Sequence, residues 1–241
     1  MIKHVWIILL CILVLTAVPV KTLAADENGN TAEFEKHGDA IMEILSQESC
    51  QAGNISTGII MNSDQEVRQF ADFFYKRYYY GCSPLTVYYV TYSDKPGQFA
   101  LGIRAEAPQE AARQQKTVKN KFAEVACGLL SKTEYGKALE IYQWVYDNYE
   151  YDYSYINNNV YSAFQTGKTA CNGYTRMFQG LCSAAGLTCE VVVDGNHAWN
   201  RVVIDGQWRY VDVTWNKNIS ENRWLFVTKE EMDRSHNPQG V

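Results

Sequence analysis

The chain has 241 residues, 46% of them hydrophobic and 13% aromatic, with a formal charge of −5 at neutral pH. That apolar and aromatic content is enough to build a packed core, and an acidic chain without a Lys/Arg cluster argues against nucleic acid as a partner. Seven cysteines in a chain of this length do not make it one of the small scaffolds that depend on disulfides.

The first element reads as an export signal over residues 1–24. Met1-Ile2-Lys3-His4 is basic, and Val5 to Val20 is apolar apart from Thr16. Thr22-Leu23-Ala24-Ala25 then supplies small cleavage-site residues. The apolar run is shorter than the roughly 18–20 residues of a spanning helix, and no later segment would cross a membrane. The mature protein is therefore expected to be secreted, extracellular or cell-surface associated, with no membrane contact after cleavage. Losing Lys3 and Lys21 moves the formal charge from −5 to −7. Cys11 leaves with the leader, and the six remaining cysteines form an even set that invites disulfides.

Residues 25–32 are polar and read as a loose tail. Residues 33–105 read as a small α+β unit. Phe34, Ala40, Ile41, Ile44 and Leu45 form a helical stripe, and Gly53 to Met61 is a short strand. Ser63 and Glu66 make a capping box, followed by the apolar face of Val67, Phe70, Ala71, Phe74 and Tyr78. Leu85 to Val90 alternates as a strand, Asp94-Lys95-Pro96-Gly97 turns the chain, and Phe99 to Ala105 is a second strand. The aromatic run from Phe73 to Gly81 is better explained by packing around a helix end than by sugar stacking.

The third segment, residues 106–241, begins with two helices. One carries Val118, Phe122, Val125, Ala126 and Leu129. The other, capped by Thr133, buries Ala138, Tyr142, Val145 and Tyr149. "NYEYDYSYINNN" reads as an irregular aromatic loop. "GKTACNGYTRMFQGLCSAAGL" is a loop entering a helix, with Tyr174, Met177, Phe178, Leu181, Cys182 and Ala185 spaced at three and four. Gly186 fits the left-handed cap that ends it. Three strands should follow, then a last strand "RWLFV" and a short helix.

Thr169 or Ala170 falls at the N-cap of the quoted helix, so Cys171 lies in its first turn. Unpaired N–H groups and the helix dipole favour a negative charge there, and thiols so placed are more reactive. On position alone, a disulfide or packing cysteine would be the plainer reading. The segment "DGNHAWNRVVIDGQWRYVDVTW" changes this. Asp205-Gly206 is a strong hairpin signal, and a tight turn there places Ile204 opposite Gln207 and Trp199 opposite Asp212. His197 and Asp212 then share a face as diagonal neighbours, with Cβ atoms roughly 7 Å apart. A one-residue slip would separate them. The other mature histidines, His37 on a helix and His236 in a polar tail, show no acid partner at a telling spacing.

Cys171, His197 and Asp212 are thus the candidate catalytic residues: nucleophile, proton carrier and orienting carboxylate. Backbone N–H groups at the helix start, that of Cys171 included, could hold an oxyanion. Gln165 and Tyr161 are both candidate side-chain donors to it. No His/Cys/Asp cluster has metal-ligand spacing and no Gly-rich phosphate loop occurs, so neither a metal nor a cofactor is expected.

"ACNGYTRMFQGLCSAAGL", "NHAWNRVVIDGQW" and "YVDVTWN" together resemble the transglutaminase-like family, with Cys171, His197 and Asp212 on its motif positions. The stretch "YDYSY…VYSAFQTGK" resembles the segment before the cysteine in secreted bacterial members. The resemblance covers roughly residues 108 to 230. It implies an α+β fold with a papain-like, transglutaminase-like core and chemistry at amide bonds through an acyl-enzyme. The implied partner is a protein or peptide, with cell-surface and cell-wall substrates among the candidates. The family includes peptidases, amidases, cross-linking enzymes and non-catalytic members, so an extracellular binding domain is the alternative. Residues 33–105 match none of its motifs.

Overall fold

A computed structural model describes residues 31–236 apart from Tyr79 and Cys82. The segment read as an export signal, its cleavage site and the tail up to residue 30 lie outside the described residues. Internal contacts divide the chain between Lys116 and Thr117. That division falls inside one helix, α3, which runs from Pro108 to Cys127.

The first unit contains α1 (Thr31–Ser46), β1 (Gly53–Met61), α2 (Asp64–Arg77), β2 (Leu85–Tyr92) and β3 (Lys95–Ala105). Its sheet is antiparallel in the order β1-β3-β2. Ser63 caps α2 as its spacing predicts, its hydroxyl accepting from the Glu66 N–H at 3.1 Å. The Glu66 carboxylate reaches back to the N–H of Asn62 at 2.7 Å. Phe34, Ile41 and Leu45 of α1 meet Phe70 and Phe74 of α2 over Leu101 and Ile103 of β3. The aromatic run ending α2 belongs to this core: the rings of Phe74 and Tyr78 stack 5.5 Å apart.

The β2–β3 turn is tighter than the sequence suggests. Tyr92 pairs with Lys95, so Pro96 lies within β3. The β1 pairing extends only as far as Phe99, which leaves no demand on the side of Pro96 where an N–H is missing.

The second unit contains the rest of α3, α4 (Glu134–Asn148), β4 (Glu150–Tyr151), α5 (Val160–Thr166), β5 (Lys168–Thr169) and α6 (Cys171–Ala184). Then come β6 (Cys189–Asp194), β7 (His197–Ile204), β8 (Gln207–Val211), α7 (Val213–Ile219) and α8 (Lys229–His236). The sheet β6-β7-β8 is antiparallel throughout.

Helix α6 is the buried centre of this unit. Tyr174, Met177, Phe178, Leu181 and Cys182 are fully covered. Gly180 has no side chain because Phe122 occupies the space: a Cβ there would stand 2.0 Å from the ring. The helix ends in a Schellman motif, with the N–H of Leu187 bonded to the Cys182 carbonyl and that of Gly186 to the Ser183 carbonyl. Gly186 takes φ 78°, the left-handed conformation that glycine adopts without strain.

Three local expectations are corrected. The aromatic loop holds β4, which pairs in parallel with β5, and a compact turn built on Asp152. "DVTWN" continues into helix α7, because Asp212 caps it through the N–H of Trp215 at 2.9 Å. "RWLFV" is not a strand. It contributes one bridge, Val227 to Tyr210, and a bond from the Asp212 N–H to the Trp224 carbonyl. Positive φ at Phe226 breaks its extension.

Candidate active site

Cys171 is the first residue of α6, and Ala170 before it has no side chain able to cap the exposed amides. The cap comes from farther back. The Asn158 carboxamide oxygen accepts from the N–H groups of Asn172 at 3.0 Å and Gly173 at 3.4 Å. The Asn172 side chain returns a bond to the Asn158 carbonyl at 2.9 Å. Asn158 is itself positioned by the Asp152 turn, whose carboxylate accepts from the backbone and side chains of Ser154 and Asn157. The second and third amides of the helix are therefore occupied, and the Cys171 amide stands at its head.

His197 opens β7, and β8 returns beside it in the register that Asp205-Gly206 predicts. Both turn residues have positive φ, and Ile204 pairs with Gln207. Pairing stops at Asn200–Val211, one residue short of Asp212. Asp212 is free of the ladder there and turns its carboxylate into the protein, where it is fully buried. His197 Nε2 lies 2.6 Å from Asp212 Oδ2.

Two buried polar side chains tie the nucleophile's helix to the histidine's strand. Thr175 Oγ1, one turn beyond Cys171, lies 2.7 Å from the Cys171 carbonyl and 2.9 Å from the Ala198 carbonyl. Asn200 Nδ2 donates to the Thr175 carbonyl at 3.1 Å.

Electrostatics complete the arrangement. Burial pulls the His197 imidazole down, but hydrogen bonds to Asp212 and to Cys171 outweigh it and hold its pKa at about 9. At neutral pH this imidazole is therefore a cation, held so by the Asp212 carboxylate and, after it, by Cys171. Burial also pushes the Asp212 carboxyl up, and bonds from His197, His236 and the Trp215 N–H bring it below its ordinary value.

The structure thus places Cys171, His197 and Asp212 together. The two side chains considered as oxyanion donors lie on α5, where Gln165 is exposed and Tyr161 half-buried. Three participants were not visible in the sequence: Asn158, Thr175 and His236.

His236 is the main correction. It is not in a solvated tail but 6% exposed at the end of α8, with Nε2 2.8 Å from Asp212 Oδ2. No sequence spacing marks that contact, because α8 must fold back on β8 to make it. His37 also has an acid neighbour, Glu33 at 3.6 Å one turn earlier, but lies in the other unit.

His197, Asp212 and His236 bring possible ligand atoms within 4.8 Å of one another. The carboxylate oxygen, however, sits at 2.6 and 2.8 Å from the two imidazole nitrogens. Two ligands on one zinc ion, each about 2.0–2.1 Å from it in a tetrahedron, stand more than about 3 Å apart. The trio is a hydrogen-bonded network.

Residues 123–213 match the model of the Transglutaminase-like superfamily. Kyphoscoliosis peptidase of Mus musculus is 29% identical over 158 residues, covering 54% of this chain and 24% of that protein. Its Homo sapiens counterpart is 29% identical over 143 residues, covering 48% and 22%. The chain spans about a quarter of the length of these curated relatives. A solved structure described as a TGase aligns at 16% identity with a TM-score of 0.36, covering 54% of this chain and 43% of its own.

Proposed function

We propose that this chain, a member of the transglutaminase-like superfamily by its residues 123–213, is a thiol enzyme acting on protein or peptide amide bonds. The observation that carries this reading is the 2.6 Å contact of His197 with the buried Asp212, on an imidazole whose pKa is raised by Asp212 and, after it, by Cys171 at the head of α6.

In this reading the Cys171 sulfur attacks the amide carbonyl carbon, and a C–S bond forms while the carbonyl oxygen becomes an oxyanion. The N–H of Cys171 at the head of α6 is the candidate donor to that oxygen. The oxyanion collapses, the C–N bond breaks, and His197 passes its proton to the departing amine. Water or a second amine then attacks the thioester and gives its proton to His197. When the C–S bond breaks, thiolate and imidazolium are restored. Asp212 keeps the imidazole oriented and charged throughout.

The test is product formation that depends on Cys171. The purified protein is incubated with casein, with and without a fluorescent primary amine, beside Cys171→Ala. Cysteine-dependent peptide release supports hydrolysis, and amine incorporation supports acyl transfer. If neither appears and Cys171 alkylates like a free thiol, the enzyme reading falls and a binding domain takes its place. We also propose that residues 1–24 are an export leader. Amino-terminal sequencing of exported protein should begin at Ala25 or Asp26, and recovery of Met1 would refute it.

A further inference from the structure

Asp212 Oδ2 is shared. It meets His197 Nε2 at 2.6 Å and His236 Nε2 at 2.8 Å, while Oδ1 is taken by the Trp215 N–H at 2.9 Å. An ionised carboxylate can only accept, so both imidazoles present N–H groups to it. On the far side of His236, Nδ1 lies 2.9 Å from Ser235 Oγ. Ser235 Oγ also accepts from Trp224 Nε1 at 2.8 Å. The Ser235 hydroxyl proton has two acceptors, Nδ1 at 2.9 Å and the Met232 carbonyl at 3.2 Å; turned to the nearer Nδ1, it holds the His236 proton on Nε2, the atom facing Asp212. Tryptophans enclose the ring: Trp215 stacks on it at 4.0 Å, with Trp199 at 4.8 Å and Trp224 edge-on at 5.5 Å.

We propose that His236 is a positioning residue for the reaction assigned to Cys171, His197 and Asp212. Its Nε2–H keeps the buried Asp212 carboxylate ionised and aimed at His197. The inference rests on the thiol-enzyme reading above. Its physical basis is the isolation of Asp212. A carboxylate with no exposed surface must find all its donors within the protein, and bonds to a charged acceptor are the stronger kind. A position walled by three tryptophans that served packing alone would be filled more cheaply by an apolar ring, which brings no polar group to desolvate. The polar edge is instead spent on the oxygen that holds His197.

The test uses the full chain and iodoacetamide, with Cys171 alkylation followed by peptide mass at pH 6 and at pH 10. His236→Gln keeps an N–H donor, and His236→Met has similar length and volume without one. At pH 6 the Met variant should alkylate roughly tenfold more slowly than wild type, and the Gln variant no more than about threefold more slowly. At pH 10, where the thiol ionises unaided, all three should agree within about twofold, which shows that access is unchanged. Ser235→Ala changes almost no volume but frees the His236 tautomer. It should lower the pH 6 rate about threefold, and it answers the question if the Met variant does not fold. Equal rates for Gln and Met at pH 6, or a Ser235→Ala rate equal to wild type, would overturn the proposal. If wild-type Cys171 itself stops reacting at pH 6, the thiol-enzyme reading fails first and this role goes with it. A fast wild type with indistinguishable variants removes the His236 role alone.

Discussion

Asn200 on β7 donates its side-chain N–H to the backbone carbonyl of Thr175 on α6 at 3.1 Å, in an environment where Asn200 is 1% exposed. The strand that begins with His197 and the helix that begins with Cys171 are thereby held at one register. The same amide reaches the Glu190 carbonyl at 3.3 Å, so β6 is tied in as well. Thr175 closes the link from the other direction through the Ala198 carbonyl.

Asn200→Ala should therefore cost more than its lost volume, because it strands buried carbonyls. A destabilisation of about 1–3 kcal/mol is expected from urea unfolding. Cys171 alkylation at pH 6 should slow with it, since helix and strand lose their common anchor. A change below about 0.5 kcal/mol, the level of an ordinary surface substitution, would show that the contact does not matter.

Wild-type Cys171 should stay reactive toward iodoacetamide as pH falls to about 6, where an ordinary thiol has almost stopped reacting. His197→Ala should abolish that low-pH reaction, because the cation beside the sulfur is gone. Asp212→Asn should slow it less, since the imidazole remains but is poorly oriented. A Cys171 rate indifferent to His197 would end the enzyme reading.

The His197 shift also predicts how stability depends on pH. Its folded pKa, held at about 9, lies above the unfolded value of about 6.5. The stability from its protonation is complete below about pH 6.5 and is lost as pH rises through about 9. The stability gap between wild type and His197→Ala should narrow from pH 6 to pH 9.5, by up to about 3 kcal/mol at roughly 1.4 kcal/mol per unit. A gap that widened with pH would contradict the assigned partners.

Cys182 and Cys189 should both be free thiols. Cys182 is fully buried on α6, and burial followed by a hydrogen bond to Cys189 pushes its thiol well up. Both are unlinked in the structure, as are Cys50, Cys127 and Cys171 among the described residues. Alkylation under denaturing, non-reducing conditions followed by peptide mass should find both modified. A linked 182–189 peptide would refute this.

What the sequence determined by itself is what local hydrogen bonding and short periodicity encode. The Ser63 cap, the Asp205-Gly206 turn and the Gly186 helix end each involve groups a few residues apart, so the chain specifies them before it packs. Because the hairpin turn sets the β7–β8 register, the approach of His197 to Asp212 was legible as well. Tertiary structure alone decided what joins distant segments. Asn158 reaches Asn172 across 14 residues, and His236 reaches Asp212 across 24. Neither pair has a periodicity to betray it, since both contacts exist only after α5 and α8 fold onto the unit. The strand read in "RWLFV" was lost for the related reason that its β propensity had one bridge to satisfy and no full ladder. A buried carboxylate collects its donors from whichever segments packing brings near, and that choice is made in three dimensions.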